Sequence, residues 1–78
     1  MDKSKFDAVF SIISATLVER IATELNLSDK EAIIELYSSH LYEFLEQEET
    51  KLWQYSTEKL LEMFLEERNN GNIRFPQV

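Results

Sequence analysis

The chain has 78 residues, 44% of them apolar, and carries 15 acidic against 8 basic side chains for a net charge of −7. That length leaves room for one hydrophobic core and not two, the absence of cysteine excludes a disulfide and a thiolate-built zinc site, and the acidic balance speaks against a large phosphate-binding surface. A core of this size is marginal by itself, so self-association is the expected reinforcement once disulfides are gone.

Gly71 and Pro76 are the sole glycine and proline. The first 70 residues therefore lack both strong breakers and are rich in Leu, Glu, Ala and Lys, which predicts an all-α fold. The expected architecture is a three-helix bundle with an extra short turn before the third helix, paired as a homodimer. Residues 1–72 make the single helical domain in this reading, and residues 73–78 an extended tail. No apolar run approaches the ~18 residues of a membrane span. Met1-Asp2-Lys3-Ser4-Lys5 lacks the apolar stretch of a signal peptide, so a cytoplasmic protein is expected.

The first helix is expected from about Ser4 to Leu25, because Phe6, Phe10, Ile13, Leu17, Ile21 and Leu25 recur at steps of four and three. Val9, Ile12, Val18 and Ala22 widen that stripe beyond the one face a surface helix needs, which points to burial on two sides. After a break at Asn26-Leu27, Ser28-Asp29-Lys30-Glu31 fits a capping box. The second helix is expected to run from there to about Gln47, with Ile33, Ile34, Leu36, Tyr37, Leu41, Tyr42, Phe44 and Leu45 as a broad apolar surface. Thr50 is placed to cap a short turn over Lys51 to Tyr55. Ser56 or Thr57 starts the third helix, with Glu58 in its first turn, where the helix dipole favours negative charge. Leu60, Leu61, Phe64 and Leu65 face inward, Arg68 suits the last turn, and Asn70-Gly71 is a stop. Phe75 precedes proline and is therefore extended, and Ile73 and Phe75 are able to dock on the bundle or on a second subunit.

Three constellations bear on function. The run Arg20 to Ile33 resembles a DNA-binding helix-turn-helix, with Asn26 at the turn where glycine is usual and Ser28 capping the would-be recognition helix. Phosphate contact requires cations there, yet the exposed positions are Asp29, Lys30, Glu31 and Glu35, and Glu35 stands where the motif usually packs an apolar residue. A DNA-binding regulator using Ser28 and Lys30 is thus the alternative rather than the main reading. His40 and Glu43 share one side of a helix and make half of a carboxylate metal site, but no second histidine completes it, and no metal or other cofactor is implied. No Gly-x-Ser-x-Gly, no cysteine nucleophile and no glycine-rich phosphate loop are present, so no enzyme is expected.

The remaining signal is an acidic stretch containing aromatics. Glu43, Glu46, Glu48, Glu49, Glu58, Glu62, Glu66 and Glu67 stand against only Lys51 and Lys59. Charge of this kind is commonly a solubilising face, or else a docking surface for a basic partner. Tyr37, Tyr42, Phe44, Trp53 and Tyr55 lie in the same stretch, and nine aromatics are many for so small a core. Some are therefore expected at an interface, Trp53 first because it lies outside the helix stripes. The expected function is a protein–protein interaction module whose partner-binding residues are Trp53, Tyr55, Tyr42 and Phe75, ringed by Glu46 and Glu49.

Ser11-Ile12-Ile13, Leu25-Asn26-Leu27-Ser28, Glu31-Ala32-Ile33, Tyr37-Ser38-Ser39, Leu41-Tyr42-Glu43-Phe44-Leu45, Glu48 through Ser56 and Glu66 through Gly71 together resemble a group of small bacterial helical proteins of unknown function. The resemblance spans about residues 9–71. It implies a self-contained cytoplasmic helical domain, an accessory or antitoxin-type partner, and transfers no catalytic motif.

Overall fold

In a computed structural model, which describes residues 2–71, the chain is all-α. Helix α1 spans Lys3–Leu25, α2 Asp29–Tyr37, α3 His40–Leu45 and α4 Thr57–Asn70. Two 3-10 turns, Glu48–Thr50 and Leu52–Gln54, connect α3 to α4. Ile73 and Phe75, expected to dock on the bundle or a second subunit, lie outside the described residues.

The ends of α1 follow from local chemistry. The Asp2 carboxylate accepts from the Ser4 amide at its start. Asn26 takes the left-handed conformation at its end (φ 55°, ψ 48°), letting the Leu27 amide reach the Ala22 carbonyl at 2.9 Å. Asparagine tolerates this geometry better than most residues, which is why glycine is dispensable at the turn. The capping box at α2 is complete: the Glu31 amide donates to Ser28 Oγ at 3.2 Å, and the Ser28 amide donates to Glu31 Oε1 at 3.1 Å. Helix α4 is capped by Ser56 and stopped by Gly71 at φ 77°.

The expected second helix, running unbroken to Gln47, is corrected to two. It ends at Tyr37 and a new helix begins at His40. Serine hydroxyls compete with the backbone ladder, and Ser39 does so twice. Its hydroxyl donates to the Leu36 carbonyl at 2.6 Å and accepts from the Tyr42 amide at 3.2 Å. Further support comes from α4, where the Glu67 carboxylate accepts from the His40 and Leu41 amides at 2.8 and 2.9 Å. Those amides are orphan donors of a helix start, and a carboxylate is the strongest acceptor for them. The described residues thus form four α-helices rather than the expected three.

The core is aliphatic at its centre. Leu17 and Ile21 of α1, Leu36 of α2, Leu41 and Leu45 of α3, Leu52 of the second 3-10 turn and Leu60 of α4 are fully buried. Helix α1 packs against both α2 and α4, and α3 closes against α2 and α4. Arg20 reaches Glu58 at 2.9 Å and Arg68 reaches Glu35 at 3.0 Å, tying α1 and α2 to α4. Glu35, anomalous for a DNA-binding motif, is therefore a partner of Arg68 here.

Candidate functional site

An aromatic row crosses the molecule. Trp53 meets the edge of Phe6 with ring centroids 6.4 Å apart, Phe6 stacks on Phe10 at 6.1 Å, Phe10 lies 5.5 Å from Tyr42, and Tyr42 stacks on Tyr37 at 4.6 Å. Offset and edge contacts at these separations are favourable geometries for aromatic pairs. Along the row Trp53 is half-buried, Phe6 buried, Phe10 and Tyr42 half-buried, and Tyr37 55% exposed.

Trp53, half-buried, forms one end of the row. Its indole Nε1 donates to the Glu48 carbonyl at 2.9 Å, so its polar group is satisfied within the chain. The Lys51 backbone, left-handed at φ 60°, separates the two 3-10 turns, and the second of these carries Trp53. Tyr55 is half-buried and packs against the core. Tyr42 is half-buried between Phe10 and Tyr37, while Glu46 and Glu49 are exposed. Of the residues expected to bind a partner, the structure brings Trp53 and Tyr42 into one aromatic row and sets Glu46 beside Tyr42. Glu49 is on the first 3-10 turn.

At the outer end of the row lies an open groove of about 510 Å³ between α1 and the α2–α3 segment. Phe10, Ala15 and Val18 supply its α1 wall, and Ile33, Tyr37 and Tyr42 face them. Ser14 Oγ, in the same wall, is buried and makes no hydrogen bond within the described residues. Elsewhere on α1 a hydroxyl does return to the backbone, as Thr16 does to the Ile12 carbonyl at 2.9 Å. Ile12, 67% exposed, adjoins the wall one turn from Ala15, and Ile33 is 37% exposed. Ile33 and Tyr37 are spaced i,i+4, as are Ser11 and Ala15, so each helix presents one continuous side to the opening. The apolar excess noted on α1 is the sequence signal of this wall. What the sequence does not contain is which part of the excess stays uncovered.

The charged residues of the lining are Glu19 and Asp29, near the α1–α2 turn. Glu46, outside the lining, is close enough to oppose ionisation of Tyr42, whose phenol is raised above its ordinary value first by burial and then by Tyr37 and Glu46. Lysine and arginine are absent from the lining.

The other two constellations gain no site. Ser28 and Glu31 are consumed in the capping box, where Glu31 is held below the usual carboxylate value by the Ser28 amide and hydroxyl. Lys30 is exposed beside them. The His40 backbone amide is bound by Glu67, and among the described residues no three His, Asp or Glu side chains gather in a way that could hold a metal ion. Among the same residues no helix is long and apolar enough to cross a membrane. No family model, curated protein or solved structure matches the chain.

Proposed function

We propose that this chain is a non-enzymatic protein-interaction module, and that its working surface is the groove between α1 and the α2–α3 segment. The observation that carries the reading is an aliphatic and aromatic groove wall left open to solvent: Ile33 and Tyr37 line it and are exposed at 37% and 55%. Contiguous exposed apolar side chains rimmed by polar ones mark interaction surfaces in proteins of this size. Aromatic residues are also the side chains that dominate interface energetics. The aromatic surface expected from the sequence moves, on this reading, from Trp53 toward Tyr37 and Tyr42.

Two partners follow from the sequence, a second copy and a basic protein. Glu19 and Asp29 in the lining, with no lysine or arginine among the lining residues, support the basic protein. DNA binding is disfavoured by the same charges, since Asp29 and Glu31 occupy the start of the would-be recognition helix.

The test is quantitative capture. Purified protein with a photo-crosslinking side chain at exposed Ser11 is irradiated in a lysate of its own host and analysed by mass spectrometry. The reading expects one stoichiometric protein adduct, abolished by Ile33→Glu with helix content unchanged by circular dichroism. A crosslinking pattern identical in the Ile33→Glu variant would overturn it.

A further inference from the structure

We infer that the outward side of α1 pairs with the same side of a second copy of this chain, the two helices antiparallel about a two-fold axis at Ile12, so that Lys5 of each copy faces Glu19 of the other. This surface is distinct from the groove, which lies on the flank of α1 toward α2. The two share an edge at Ala15 and Glu19.

The outward side of α1 is a run without charge. From Ala8 to Val18 the helix carries no charged residue, in a chain that is 29% charged. Ala8, Ser11, Ile12, Ala15 and Thr16 of that run are nevertheless exposed. Helix α4, by comparison, turns Glu58, Glu62 and Arg68 to solvent. A helix side that faces water normally carries charge, and a stretch that is apolar all round is covered all round. Ile12 lies at the centre of the uncharged side. It is 67% exposed, more than any other large apolar side chain among the described residues. Nine residues, or two and a half turns, separate it from buried Ile21, which points it away from the core. The Thr16 hydroxyl donates to the Ile12 carbonyl at 2.9 Å, so it makes no demand on solvent.

The flanking charges choose the partner and its direction. Lys5 and Glu19 stand seven residues before and seven after Ile12, and both are exposed. A step of seven residues returns to the same side of an α-helix with a drift of about 20°, so Lys5, Ile12 and Glu19 form one line. Ala8 and Ala15, three residues after Lys5 and Ile12, complete the spacing of a coiled-coil seam and let two backbones come close. Laid antiparallel on its own copy, this line sets Ile12 on Ile12 and a cation on an anion at each end. Laid parallel, it sets Lys5 on Lys5 and Glu19 on Glu19. The complementarity is one of register: two opposite charges stand equidistant from the apolar side chain that most needs covering. Asp7, the other acid near this run, is two residues from Lys5 and falls off the line. The seam is about 21 Å long, a small interface, so the dimer dissociates on dilution.

The test is sedimentation equilibrium of the full chain across micromolar to millimolar concentrations. The expected result is a concentration-dependent dimer that Ile12→Glu converts to monomer, with helix content unchanged by circular dichroism. Glu19→Lys should weaken association about tenfold, and Lys5→Glu combined with Glu19→Lys should restore it to within about threefold of the wild type. Geometry is read separately. The chain has no cysteine, so Ile12→Cys and Lys5→Cys each introduce a single thiol. Under mild oxidant Ile12→Cys should link two copies, whereas Lys5→Cys should not, because its thiols would lie about 21 Å apart along the seam. A wild-type monomer at millimolar concentration, or a dimer that survives Ile12→Glu, would overturn the inference. So would a double charge swap that associates no more tightly than Glu19→Lys alone, or linkage of Lys5→Cys as fast as Ile12→Cys.

Discussion

Replacing Glu67 by alanine tests the account of why the middle of the chain folds as it does. The Glu67 carboxylate accepts from the His40 and Leu41 amides at 2.8 and 2.9 Å, across 27 and 26 residues of sequence. Hydrogen bonds to an ionised acceptor are stronger than neutral ones, but these are partly open to water, so about 1 kcal/mol each is the appropriate size. Glu67→Ala is thus expected to cost about 2 kcal/mol, of a total that for a domain this small is only about 4–12 kcal/mol. At about 4–8 °C per kcal/mol the melting temperature falls by roughly 10 °C. Glu67→Gln keeps one oxygen as an acceptor but turns an amide donor toward the other backbone N–H, so about half the loss is expected. Exposed Glu62→Ala serves as the control, because it removes the same charge from the same helix and breaks only a 3.5 Å surface contact with Lys59. The assay is urea denaturation followed by far-ultraviolet circular dichroism, with all variants compared at one pH. If Glu67→Ala unfolds at the midpoint of Glu62→Ala, the carboxylate does not hold α3, and the explanation for the break at Ser38-Ser39 fails.

Two pH dependences have opposite signs. Glu31 is held below its ordinary value of 4.5 by the Ser28 amide and hydroxyl; the stabilisation is complete above that value and is lost as pH falls through the lowered one, so Glu31→Gln should flatten the acid limb of a stability-versus-pH curve. Tyr42 is raised, chiefly by burial with Tyr37 and Glu46 adding to it; its stabilisation is complete below the ordinary phenol value near 10 and is lost as pH rises through the higher one. Absorbance titration at the phenolate band should show one tyrosine ionising late, and Tyr42→Phe should remove that phase; a single phase in the wild type would contradict the burial of this phenol.

What was legible in the sequence was local. The 3–4 spacing of Phe6, Phe10, Leu17 and Ile21, the Ser28–Glu31 box, Ser56 and Gly71 each report on a few neighbouring residues, and the structure places α1, the start of α2 and both ends of α4 accordingly. The break between α2 and α3 was not, because half of its cause is Glu67 in another helix. Nothing in Thr50-Lys51-Leu52 announces a left-handed lysine either. There Thr50 Oγ1 lies 2.7 and 2.8 Å from the Phe44 and Gln47 carbonyls, and that contact closes the first turn. Trp53 stands out in the sequence because it falls outside a helix stripe; in the fold it rides on the second 3-10 turn, half-buried, with its indole N–H on the Glu48 carbonyl.

The acidic surplus illustrates the same division between what composition tells and what geometry tells. A net charge of −7 spread evenly would be a coat for solubility and would carry no direction. In the fold the acids separate by employment. Glu31 completes a capping box, Glu67 caps α3 from α4, and Glu35 and Glu58 bind the arginines that tie α2 and α1 to α4. These carboxylates are spent on holding helices at fixed angles, and their negative charge is largely answered inside the molecule. Glu19 and Asp29 instead line the groove in which Ile33 and Tyr37 meet water, and no lysine or arginine stands among the lining residues with them. An apolar surface edged by charge of one sign is selective about what covers it: the apolar wall supplies affinity, while the carboxylates reject an acidic ligand of the same shape.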